Sequence, residues 1–81
     1  MKVQVTNKHI TKGKPGRIHS CPIALAIREQ CAKGKAVSVT GCEVSIGNKI
    51  YELPTRANEF IMMFDTGEKV KPFTFNLREE L

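Results

Sequence analysis

The sequence predicts an α+β domain of order βααβββαβ, a mainly antiparallel sheet with helices packed on one face. Three observations lead there. Apolar and polar residues alternate at residues 3–5, through residues 36–53 and again over residues 73–77, the period of a half-buried strand. Two intervening stretches place apolar residues at helical spacing. The runs within residues 36–53 are short and separated by glycine-containing pairs, as hairpins require, so their pairing is antiparallel. With 81 residues the chain has room for one domain, residues 1–81, with a thin core.

Each element has a local cause. Val3 and Val5 flank Gln4 in a first strand. Thr6 caps a brief helix over residues 7–12 that Gly13 stops, and Val5 and Ile10 hold the two positions of a hydrophobic staple across that cap. Gly13-Lys14-Pro15-Gly16-Arg17 is a turn-rich loop. Pro22 suits the first position of a second helix, where its missing N–H costs nothing, which makes Cys21 the cap. Ile23, Ala24, Ile27 and Cys31 share the inner face of this helix, and Arg28, Glu29, Ala32 and Lys33 its outer face; Leu25 lies off the apolar stripe, and Gly34 ends the helix. Residues 36–53 form a three-stranded meander. Two-residue turns at Thr40-Gly41 and Gly47-Asn48 pair Val37 with Val44, Val44 with Tyr51 and Cys42 with Leu53. Every apolar side chain except Ile50 then lands on one face, and Glu43 faces Glu52. Pro54-Thr55 opens a third helix, with Ala57, Phe60, Ile61 and Phe64 inward, Met62 and Met63 flanking and Gly67 as its stop. Phe73, Phe75 and Leu77 point inward from the last strand, which Pro72 confines to an edge or to a start after the proline.

The formal net charge of +5 is unevenly spread. Residues 1–35 hold eight basic residues against Glu29 alone, a net +7; residues 36–81 hold five against seven acids, a net −2. Such a one-sided field favours phosphates, nucleic acid or an acidic protein surface, although a charge of this size also serves solubility. No apolar run approaches the roughly 20 residues of a membrane span, and residues 1–7 lack the apolar core of a signal peptide. No membrane association is expected. Three cysteines, Cys21, Cys31 and Cys42, are an odd set without framework spacing and point to a reducing compartment. Paired metal-ligand spacing is also missing, His19-x-Cys21 being the nearest approach, so no metal or cofactor is expected.

The stretch from Lys12 to Leu25 concentrates the chemistry. Lys12, Lys14 and Arg17 stand on a loop made close-fitting by Gly13 and Gly16, and the loop feeds a helix start. The first N–H groups of that helix, on Ile23, Ala24 and Leu25, lack helical partners, and the positive end of the helix dipole adds to the nearby cations. The expected anion site comprises Lys12, Lys14, Gly16, Arg17, His19, Ser20, Ile23 and Ala24. It is not a P-loop, because the Gly-Lys-Ser/Thr ending is missing and Pro22 removes a donor. A thiol at a helix start beside His19 and Arg17 is expected to have a lowered pKa, with His19 as its base. The competing reading of Cys21 is a small residue that packs the helix against the sheet. His9 reads as a packing or hydrogen-bonding residue. Met62 and Met63 read as core periphery or a soft partner-binding patch, and Glu59 and Asp65 as a solvated face. Five aromatic residues and no tryptophan leave no basic-aromatic surface of the kind that stacks single strands.

Val5-Thr6, His9-Ile10, Gly13, Gly16 and then Cys21-Pro22-Ile23-Ala24-Leu25-Ala26 resemble a group of short proteins of bacteriophages and bacteria. Tyr51-Glu52-Leu53-Pro54, Phe60-Ile61, Phe64-Asp65-x-Gly67 and Pro72-Phe73-x-Phe75 continue the likeness over nearly the whole chain. The resemblance implies a phage or prophage accessory protein in a bacterial cytoplasm, and it carries no activity over to any residue. Small proteins of that origin often inhibit host machinery. The leading expectation is a non-enzymatic module that binds nucleic acid or a nucleotide phosphate through its basic loop and helix start. The alternatives are an inhibitor that docks on a host protein through Leu25, Met62, Met63 or an edge strand, and a Cys21-dependent activity.

Overall fold

Val3 and Val5 do form a first strand, β1 (Lys2–Val5), and Thr6 does start a first helix, α1 (Asn7–Lys12). The computed structural model describes residues 1–79. It continues with α2 (Pro22–Gln30), β2 (Val37–Thr40), β3 (Glu43–Ile46), β4 (Lys49–Glu52), α3 (Thr55–Asp65) and β5 (Phe73–Asn76). The class is α+β in the expected order, with one addition, a two-residue β6 (Arg78–Glu79). All strand pairs are antiparallel, and they divide into two sheets, β1-β5 and β2-β3-β4-β6. After β5 the chain passes through buried Leu77 and then pairs with β4. β6 has no apolar alternation to reveal it; in its register Arg78 stands opposite Glu52.

α2 joins the two sheets. It packs against β1 of one sheet, β2 of the other, and α1. Ile23, Ala24, Ala26 and Ile27 are completely buried there, in one core with Val3, Val5, Val37, Val44 and Leu77. Ala32 belongs to the same core, against the expectation that it faces solvent. The helix stops at Gln30 with Cys31 as its cap, so the helical period that turned Ala32 outward has already ended. α3 buries Ala57 and Phe60, packs Ile61 and Phe64 partly against the core, and exposes Met62 and Met63. It closes with a Schellman motif: Glu68 N–H donates to Met63 O (2.9 Å) and Gly67 N–H to Phe64 O (3.1 Å).

The β3–β4 hairpin has the expected register, with Val44 opposite Tyr51 and Glu43 opposite Glu52. The β2–β3 hairpin is shifted by two residues. Val39, not Val37, faces Val44, and the turn is Gly41-Cys42 rather than Thr40-Gly41. The cause is backbone geometry. Gly41 and Gly47 take φ of 50° and 59°, while among the described residues none other than glycine has a positive φ. Both hairpins thus place glycine first in the turn and demand one left-handed residue only, whereas a Thr40-Gly41 turn of the commonest kind would force threonine into that region. A shift of two keeps the apolar face inward. Cys42 moves to the exposed turn, although its carbonyl still accepts from Leu53 N–H (2.8 Å).

Two outer strand edges are closed by specific bonds. Gln30 clamps β1, its amide oxygen accepting from Gln4 N–H (2.8 Å) and its amide nitrogen donating to Gln4 O (2.7 Å). The loop before α2 covers β2, with Val39 N–H donating to Ile18 O (2.9 Å) and His19 Nδ1 donating to Val37 O (2.9 Å). Among the described residues no helix is long and apolar enough to cross a membrane.

A basic loop and a buried helix start

α1 and α2 meet at a corner that fixes the loop between them. α1 ends at Gly13, whose N–H donates to His9 O (2.8 Å). A Cβ on Gly13 would lie 2.6 Å from Pro22 Cδ and Cγ, so the first turn of α2 rests directly on the Gly13 backbone. This glycine is required for space, since its own φ of −67° suits any residue.

Around that corner the loop is tied down at several points. Lys14 N–H donates to Ser20 O (2.9 Å) and Ser20 N–H to Arg17 O (3.2 Å). Arg28 reaches from α2 to donate to His19 O (2.7 Å). Gly16 N–H donates to Asp65 Oδ1 (2.9 Å) at the end of α3. These bonds gather Lys14, Arg17, His19, Ser20 and Arg28 about one loop. Lys12, Lys14 and Arg17 are exposed, and none forms an ion pair among the described residues.

Three parts of the expected site are not available to an anion in solution. Ile23 and Ala24 are completely buried, and Ala24 N–H already donates to Cys21 Sγ (3.4 Å). Leu25 N–H makes an ordinary helical bond to Cys21 O (3.0 Å). The Gly16 amide is occupied by the protein's own Asp65 carboxylate. The helix start is sealed because Gly13 lets the chain sit against Pro22, a long-range contact that local spacing does not reveal. Accessible cations remain at Lys12, Lys14 and Arg17, with His19 exposed beside them and Ser20 half-buried. Arg28, expected on the outer helix face, joins this group.

Cys21 does not have the expected environment of a reactive thiol. It is buried, and burial pushes its pKa above the ordinary range; the nearby Asp65 charge adds to this, while the amides of Ala24 and Ile23 oppose it. His19 commits Nδ1 to Val37 O. The arrangement matches the packing role, with sulfur as the cap of α2.

Among the described residues His9 is a further buried polar side chain, and it fills the capping box of α1. Its Nδ1 accepts from Thr6 N–H (3.0 Å), so the proton of the neutral ring sits on Nε2, which donates to Glu29 Oε1 (2.9 Å). The Glu29 carboxylate also accepts from Lys8. These two bonds, Lys8 first, lower the Glu29 pKa from its ordinary 4.5 to about 2. A folded-state pKa below the unfolded one contributes stability that is complete above the unfolded value and is lost as pH falls through the folded value. The urea midpoint should therefore decline as pH drops from about 4.5 toward 2, and Glu29→Gln should flatten part of that decline.

The +7 half of the chain is not one patch. Glu29 neutralises Lys8, and Lys35 lies instead in a cleft of about 400 Å³ with Lys49, Asn48, Tyr51 and Met1. Comparison of the chain with protein-family models, with characterised proteins and with solved structures found no match.

Proposed function

We propose that the protein is a small non-enzymatic binding module that engages a phosphate-bearing partner, nucleic acid or a nucleotide, through Lys12, Lys14 and Arg17. The observation that carries this reading is the loop itself. Its three cations are exposed and unpaired among the described residues, on a backbone held by bonds to Ser20, Arg28 and Asp65. A rigid loop loses little freedom on binding, which favours recognition. The helix start contributes by fixing the loop and makes no contact with the ligand. Arg28 adds positive charge behind it. The resemblance to bacteriophage and bacterial proteins and the three free thiols support action in a bacterial cytoplasm.

Binding of a fluorescein-labelled DNA duplex and of a nucleoside triphosphate tests this reading. Lys14→Glu combined with Arg17→Glu should abolish whichever binding the protein shows, while Lys35→Glu, in a separate cleft, should leave it close to that of the unaltered protein. Equal loss in both variants would show that net charge, and not the loop, is responsible.

A second reading, an inhibitor that docks on a host protein, draws on Met62 and Met63, which are 62% and 40% exposed on α3. Flexible methionine surfaces suit protein partners. Loss of such a complex on Met62→Glu but not on Lys14→Glu would select it.

A further inference from the structure

Among the described residues nothing closes the outer edge of β5. Met1 and Leu77 exchange both backbone bonds, Met1 N to Leu77 O (2.8 Å) and Leu77 N to Met1 O (2.7 Å). Antiparallel alternation then turns Phe75 and Phe73 toward Val3 and Val5, and turns the N–H and C=O groups of Thr74 and Asn76 away from β1. Among the described residues these four groups meet no partner. The edges of β1 and β2, by contrast, are closed by Gln30 and by the loop at Ile18 and His19.

Thr74 and Asn76 line a cleft of about 390 Å³ together with Pro54, Arg56, Arg78 and one acid, Glu52. Arg56 and Arg78 are exposed, and neither forms an ion pair among the described residues. The Arg56 guanidinium stands 5.9 Å from the centre of the Phe73 ring, which holds it beside the strand.

We propose that this edge receives an extended acidic segment of a partner protein, which adds to β5 as a further strand and sets carboxylates against Arg56 and Arg78. Donors and acceptors alternating along a strand match a peptide backbone. A phosphate satisfies the N–H groups but leaves the Thr74 and Asn76 carbonyls unpaired. Guanidinium forks bind carboxylates through two parallel bonds. A second copy of this chain fits less well, because each cleft brings two arginines against one carboxylate and like charges would meet. Pro72 offers no N–H ahead of β5, so the paired stretch is short and the complex transient.

The test is a titration of 15N-labelled protein with the capped peptide Glu-Val-Glu-Val-Glu, followed by amide chemical shifts. The Thr74 and Asn76 amides should move most, and they should move equally in a Lys14→Ala/Arg17→Ala variant, which separates this surface from the basic loop. Arg56→Ala and Arg78→Ala, both at exposed positions, should each weaken binding by about two- to fivefold. The same peptide N-methylated at every amide, which removes the donors from both of its edges, should not bind, a result that needs no variant of the protein. Shifts confined to residues 12–20, equal binding of Lys-Val-Lys-Val-Lys, or undiminished binding of the N-methylated peptide would each overturn the proposal.

Discussion

Ile27→Ala should lower the stability of the protein by about 2–5 kcal/mol. Ile27 is completely buried on α2, the helix that packs against both sheets. Truncation removes apolar contacts from the place where the two sheets are joined, and a residue fixed on a helix between strands leaves a cavity that closes poorly. An 81-residue domain has a total stability on the order of 4–12 kcal/mol, so this one change takes a large share of it. A urea titration measures the effect as a fall in midpoint at unchanged slope. A loss below about 1 kcal/mol would mean that the site collapses without a cavity and that α2 is less central than its burial indicates.

Gly13→Ala should destabilise by about 1–3 kcal/mol, for a different reason. The added methyl would sit 2.6 Å from two ring carbons of Pro22 and 2.7 Å from its nitrogen. The ring has no rotamer that clears the contact, and Pro22 is itself buried in the first turn of α2. α1 must therefore move away from α2. The backbone angles of Gly13 suit alanine, so without the clash the same substitution would stabilise by about 0.4–1 kcal/mol through the unfolded chain. The sign of the measured change thus decides whether the contact exists. Because Lys12 and Lys14 flank Gly13, the variant should also weaken whatever binds the loop.

The elements were legible in the sequence because their causes are local. Thr6, Pro22, Gly47 and Gly67 act within a few residues of themselves, and alternation around Val44 and Tyr51 fixes a face. The β2–β3 turn is ambiguous in the sequence because Thr40-Gly41 and Gly41-Cys42 give the same inward face, and only the dihedral demand on the first turn residue separates them. β6 was invisible for want of a pattern. The basic loop was legible as a concentration of charge on a turn-rich segment. Its surroundings were not. Asp65 lies 49 residues from the Gly16 amide it binds, and Arg28 reaches the His19 carbonyl only because the loop folds back on α2. The buried helix start has the same origin, since spacing identifies the free amides of a helix but not what covers them.

The most direct test of the phosphate-binding account is the salt dependence of duplex DNA binding. Each cation that neutralises a phosphate releases counterions, giving a log–log slope near −0.9 per contact between about 50 and 200 mM salt. Contacts from Lys12, Lys14 and Arg17 predict a slope of about −2.7, falling close to zero when all three are replaced by alanine. Affinity that is indifferent to salt, or a slope that survives the triple substitution, would contradict the claim that this loop holds the phosphates.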